Sequence, residues 1–158
     1  MFKNNELKSH NRILTNLTIL GICFTAFTFL IGIKPEILES NKFLSLQLTL
    51  AIPFFITSIL ARTKQTDNKT YKIWNNLGFA TYIIAYSFFV NVLGILLSTF
   101  VSIFVSMLFF ITNILLALVY SYIEVKYNKY EIRSRLIKDG YFILILIFFG
   151  MLPALGFY

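Results

Sequence analysis

Ser98, Ser102 and Ser106 stand four residues apart, with Asn113 seven further on and Thr99 and Thr112 beside them. On one helix that spacing would lay the hydroxyls along a single face. Two kinds of chemistry suit such a ribbon. Small hydroxylated side chains let a neighbouring helix approach closely, with about 0.6 to 2 kcal/mol per interhelical hydrogen bond. Repeated around an oligomer, the same face would line a water-filled path, since one chain of this size has too few helices to enclose one. Asn113 is expected to point inward either way, because an amide facing hydrocarbon is costly.

A second stripe lies earlier. Thr18, Gly21, Thr25, Thr28 and Gly32 recur at intervals of three and four, which again selects one helical face. Packing within the chain or between subunits is its first reading, and a polar lining its second. Gln47 and Pro53 share the second helix. Pro53 removes a main-chain donor and frees the carbonyl of Thr49, which predicts a structural kink, or secondly a gating hinge, with a nearby hydroxyl or amide satisfying the carbonyl. Tyr82 and Tyr86 sit one turn apart, and their hydroxyls need partners, which Ser or Thr on the following helix would supply.

Outside the membrane, the segment 124–139 is the most chemically active. Lys126, Lys129 and Arg133 are expected on one helical face, followed by Arg135 and Lys138, with Tyr127, Tyr130, Ile132 and Leu136 interleaved. The first reading is a basic amphipathic extension resting on anionic headgroups. A docking surface for a cytoplasmic protein comes second. A phosphate-bearing ligand or nucleic acid comes last, because the basic balance is explained by topology first.

Reaction chemistry has little to work with. The apolar cores of the expected helices carry no acidic or basic side chain, and the one histidine, His10, lies in the amino-terminal tail. Proton relays and ion-coupled carriers place such groups at membrane depth. No His/Cys/Glu set for a metal, no Ser–His–carboxylate set and no glycine loop for phosphate is visible. No cofactor is expected, and the chain reads as non-enzymatic. Cys23, alone, fills space.

The elements that position these residues follow from charge and hydropathy. Hydrophobic residues make up 58% of the 158, charged residues 13%, and Phe and Tyr number 18 and 9. Between Lys72 and Glu124 run 51 residues without Asp, Glu, Lys or Arg. As helix that is about 76 Å, more than twice the roughly 30 Å of a hydrocarbon core, so it must fold into a hairpin. Asn91, Gly94, Ser98 and Thr99 mark the expected division. Five spans result, at 13–33, 43–61, 73–93, 99–123 and 140–158, in one polytopic membrane domain. Four spans plus a re-entrant carboxyl-terminal segment, interrupted at Pro153, is the alternative. The first span is too long for a signal core and reads as retained.

Five spans put the amino-terminal tail, the 62–72 loop and the 124–139 loop on one side, with 12 of the 14 basic residues. Positive charge stays cytoplasmic. The expectation is therefore an all-α integral protein of the cell membrane, amino terminus inside and carboxyl terminus outside. Aromatic anchors at Tyr71, Trp74, Tyr120, Tyr122 and Tyr141 suit that arrangement. The expected function is an anchor or regulatory subunit of a membrane complex, either a homo-oligomer or bound to a membrane or cytoplasmic partner. A small homo-oligomeric channel or pore-forming effector is the main alternative, and an immunity-type membrane protein the third.

Overall fold

A computed structural model describes residues 2–64, 71–127 and 132–157, with side chains at 10–32, 34–64, 71–126 and 136–157. Among these residues every element is helical: α1 Phe2–Ile33, α2 Pro35–Ser40, α3 Lys42–Thr63, α4 Tyr71–Phe100, α5 Ile103–Tyr127, α6 Ile132–Leu146 and α7 Leu152–Ala154. One wide π-helical turn, Ile147–Met151, joins the last two. Five stretches are long and apolar enough to cross a membrane: His10–Gly32, Lys42–Thr63, Tyr71–Phe100, Ile103–Lys126 and Leu136–Ala154.

Chain contacts divide the molecule into two compact units, Met1–Tyr86 and Ser87–Tyr158. In the first, α1 packs through Asn16, Cys23 and Leu30, which are 3%, 0% and 3% exposed. The α3 face is Leu44, Leu48, Ala51, Phe55, Ser58 and Arg62. The sevenfold spacing on α1 and the alternating four-and-three spacing on α3 belong to side-by-side helices meeting along a seam. A short corner links them. Pro35 opens α2, where its missing N–H costs nothing, and the Asn41 side chain accepts from the Leu44 amide to start α3.

α3 runs unbroken past Pro53. Gln47 donates to the carbonyl of Phe43. The rings of Tyr82 and Tyr86 stack with centroids 5.8 Å apart, and Phe55 meets Tyr82 edge-on.

The hairpin of the uncharged block turns later than expected, and this corrects the boundaries 73–93 and 99–123. α4 continues to Phe100 and α5 begins at Ile103. The polar residues expected to break the helix are accommodated inside it. Ser98 and Thr99 both donate to the carbonyl of Ile95, at 2.7 and 2.9 Å. Hydroxyls that bond back into their own turn do not end an apolar helix. The turn sits at Val101–Ser102, where the Ser102 hydroxyl accepts from the Val105 amide and caps α5.

In the second unit the fully buried Phe110 ring lies between two glycines. A methyl on Gly94 would stand 2.1 Å from its Cζ, and one on Gly150 would stand 2.6 Å from its Cε1. Asn91 lies against Gly150 and donates to the carbonyl of Ile145. Pro153 explains the wide turn beside it, since proline offers no amide and crowds the preceding turn. Leu152 accordingly bonds back five residues, to Ile147. The helix then ends in a Schellman arrangement: Gly156, at φ +80°, donates to Pro153, and Phe157 donates to Leu152. The last apolar stretch thus starts at Leu136, before the expected 140, and takes in Lys138 and Asp139.

Candidate functional site

The serine ribbon does not exist as one face, because the hairpin turn divides it. Ser98 lies in the last turn of α4, Ser102 lies in the hairpin turn, and Ser106 alone of the three is on α5. Ser106 is fully buried and donates to the carbonyl of Gly94 at 2.7 Å, clasping the two arms of the hairpin. Asn113 is half-buried and donates to Phe109 in its own helix at 2.8 Å.

The α1 stripe is a single face, turned away from the α1–α3 seam. Thr18, Gly21, Thr25, Thr28 and Gly32 are all exposed. Within the first unit this stripe packs against no neighbour: a methyl added at Gly21 or Gly32 would meet nothing within 4 Å. The three hydroxyls donate to Leu14, Gly21 and Phe24 one turn back, so the face presents methyl groups and bare backbone.

Of the basic segment, Lys126 is exposed with its Nζ 6.0 Å from the Tyr122 ring centre, and Lys138 is half-buried. Lys129 lies outside the described residues, as do the side chains of Arg133 and Arg135. The expected common face of Lys126, Lys129 and Arg133 lies there too. What the structure adds nearby is Ser121, which donates to the Asp139 carboxylate and ties α5 to α6.

The most chemically developed place in the molecule was missed among the loop charges. In the first unit, where α1, α3 and α4 meet at their basic end, a cavity of about 150 Å³ is lined by Arg12, Thr15, Asn16, Arg62, Phe79 and Tyr82. Arg62 is only 3% exposed. Three features let a guanidinium sit so deep. It lies in the last turn of α3, where the helix dipole favours a cation. Its Nη1 donates to Oδ1 of Asn75 at 3.2 Å. Gly78 leaves room for it, with Nε 3.4 Å from where a β-carbon would be.

The other wall is held by a thread of buried polar groups. Asn16 Nδ2 donates to Ser58 Oγ at 2.9 Å, and Ser58 Oγ donates to the carbonyl of Gly78 at 2.6 Å. One hydroxyl thus joins α1, α3 and α4. Arg12, exposed, completes the mouth, near enough to Arg62 for the two cations to repel. A sequence signal was present: Arg62 closes the 44–48–51–55–58–62 progression on α3, and Asn16 opens the 16–23–30 progression on α1.

Among the described residues no three His, Cys, Asp or Glu side chains gather as a metal site requires. Two cationic forks and two aromatic rings line the cavity, with the Thr15 hydroxyl donating to the carbonyl of Asn11. Compared with protein-family models, with curated proteins and with solved structures, the chain finds no match.

Proposed function

We propose that the protein is a non-enzymatic component of the cell membrane, an anchor or regulatory subunit, that pairs with a second copy of itself through the exposed face of α1. The observation that carries this reading is the combination of knob and hole on that one face. A shallow groove of about 530 Å³ runs along Thr18, Gly21, Ile22, Thr25, Ala26 and Phe29. Ile22 and Phe29 stand proud of it, 50% and 62% exposed. A surface with both features complements itself about a two-fold axis. Small residues let two backbones approach closely, the main source of attraction between helices in lipid.

The channel reading would need hydroxyls facing water. Ser98, Ser106 and Asn113 donate instead to main-chain carbonyls of the chain itself, which favours self-association over a pore. Sedimentation in neutral detergent tests the pairing. Wild type should be dimeric, and Gly21→Leu with Thr25→Leu should raise the dissociation constant at least about tenfold, roughly 1.4 kcal/mol. A wild-type chain that stays monomeric at every concentration would end the proposal.

Charge distribution supports an orientation. Arg12, Arg62, Lys64 and Lys72 gather at one end of the first unit, while Lys34 and Lys42 at the other are balanced by Glu36 and Glu39. Basic ends stay cytoplasmic, which puts the amino terminus inside and, after five crossings, the carboxyl terminus outside. Reporter fusions after Asp67, Ser102 and Tyr158 should read inside, outside and outside. A cytoplasmic signal at Tyr158 would reduce the crossings to four.

A further inference from the structure

We infer that the cavity between Arg12 and Arg62 binds a phosphate group. This rests on the geometry of the first unit and is independent of whether the chain pairs with itself.

Two cations on different helices line one half-open cavity, Arg12 from the first turns of the α1 span and Arg62 from the last turn of α3. Like charges raise the energy of a shared cavity, and an anion between them lowers it. Arginine is the side chain suited to that task, because its planar fork offers several donors to phosphate oxygens at once. Asn75 takes one N–H of Arg62 and thereby orients the fork.

Size and surroundings narrow the ligand. About 150 Å³ is roughly ten times the ~10–15 Å³ that one water requires, so a tetrahedral anion fits. Asn16 and Ser58 are 3% and 0% exposed, so the inner wall is rigid and already hydrogen-bonded. Phe79 and Tyr82 supply an apolar side. Arg62 is one residue from the end of its apolar stretch, which is the depth of a lipid phosphate. Lipid phosphate and free phosphate share the chemistry that the cavity recognises.

The test uses the full chain. Lipid retention is read by native mass spectrometry after reconstitution in phosphatidylcholine with or without phosphatidylglycerol, and inorganic phosphate is titrated in neutral detergent. Arg12→Gln and Arg62→Gln should each weaken binding by about tenfold to a hundredfold, the loss expected for a charge-assisted contact. Lys72→Gln, which removes a neighbouring surface charge, should change it less than about twofold. Arg12 is exposed, so its variant keeps the fold, which circular dichroism and thermal unfolding check. Retained phosphatidylglycerol with no phosphate titration assigns the site to a headgroup. Phosphate binding that both arginine variants abolish assigns it to the free ion. Equal binding by wild type, Arg12→Gln and Lys72→Gln overturns the inference, and so does a wild type that binds neither ligand.

Discussion

Replacing Gly94 by Ala is expected to destabilise the protein by about 3 kcal/mol, the upper end of what overpacking costs. The added carbon would lie 2.1, 2.5 and 2.8 Å from three atoms of the Phe110 ring. Most side chains would swing aside, but this one has no exit. Phe110 is fully buried, and across the ring stands Gly150, whose own added methyl would lie 2.6 Å from Cε1. Pushing α4 and α5 apart instead would stretch the 2.7 Å bond from Ser106 to Gly94. Gly150→Ala should cost a similar amount, because its methyl would also fall 2.2 Å from Oδ1 of Asn91.

The mechanism makes a prediction about sign. Phe110→Leu alone loses packing, yet combined with Gly94→Ala it removes the clash. The double variant should therefore be more stable than the sum of the two singles implies, by about 0.5–3 kcal/mol of coupling. Reversible unfolding in mixed micelles measures all four corners of that cycle. Strict additivity, or a Gly94→Ala protein within about 0.5 kcal/mol of wild type, would show that the ring has freedom the packing denies it.

The count of five helices long and apolar enough to span a bilayer was legible because such a helix needs a long apolar run that charged residues interrupt. Where one long run turns was not. In water, Asn91, Ser98 and Thr99 together would mark a loop. In an apolar setting each finds a carbonyl, at Ile145 for Asn91 and at Ile95 for the other two, and the helix continues through them.

Direction was the second thing out of reach. Thr18, Gly21, Thr25, Thr28 and Gly32 repeat with the period of a packed face, and they do share a face, but Asn16, Cys23 and Leu30 are the side that is buried. When both sides of a helix are apolar, periodicity finds a stripe without saying what it meets. Arg62 shows the opposite failure. Expected from the sequence as a loop charge, it is 3% exposed and lines a cavity. Only its register with Leu48 and Phe55 on α3, seven residues apart, tells the two roles apart.

That cavity gives the second large effect, at Ser58. Ser58→Ala should cost about 1–3 kcal/mol, although the average interhelical hydrogen bond in a membrane protein measures only about 0.6. The difference lies in what is left behind. The Gly78 carbonyl keeps the Thr81 hydroxyl at 3.4 Å. Asn16 loses the acceptor of its 2.9 Å bond while remaining 3% exposed, so its amide is stranded rather than rehydrated. Removing both partners should then hurt less than removing one: Asn16→Leu with Ser58→Ala is expected to be more stable than Ser58→Ala alone. If the double variant is the weaker, the thread contributes through its bond and not through the cost of breaking it. Anion binding separates this role from that of the arginines. Ser58→Ala removes the polar tie of α1 to α3 and α4 and should lower stability and phosphate affinity together, because Arg12 rides on α1. Arg12→Gln should lower affinity and leave the unfolding curve where it was.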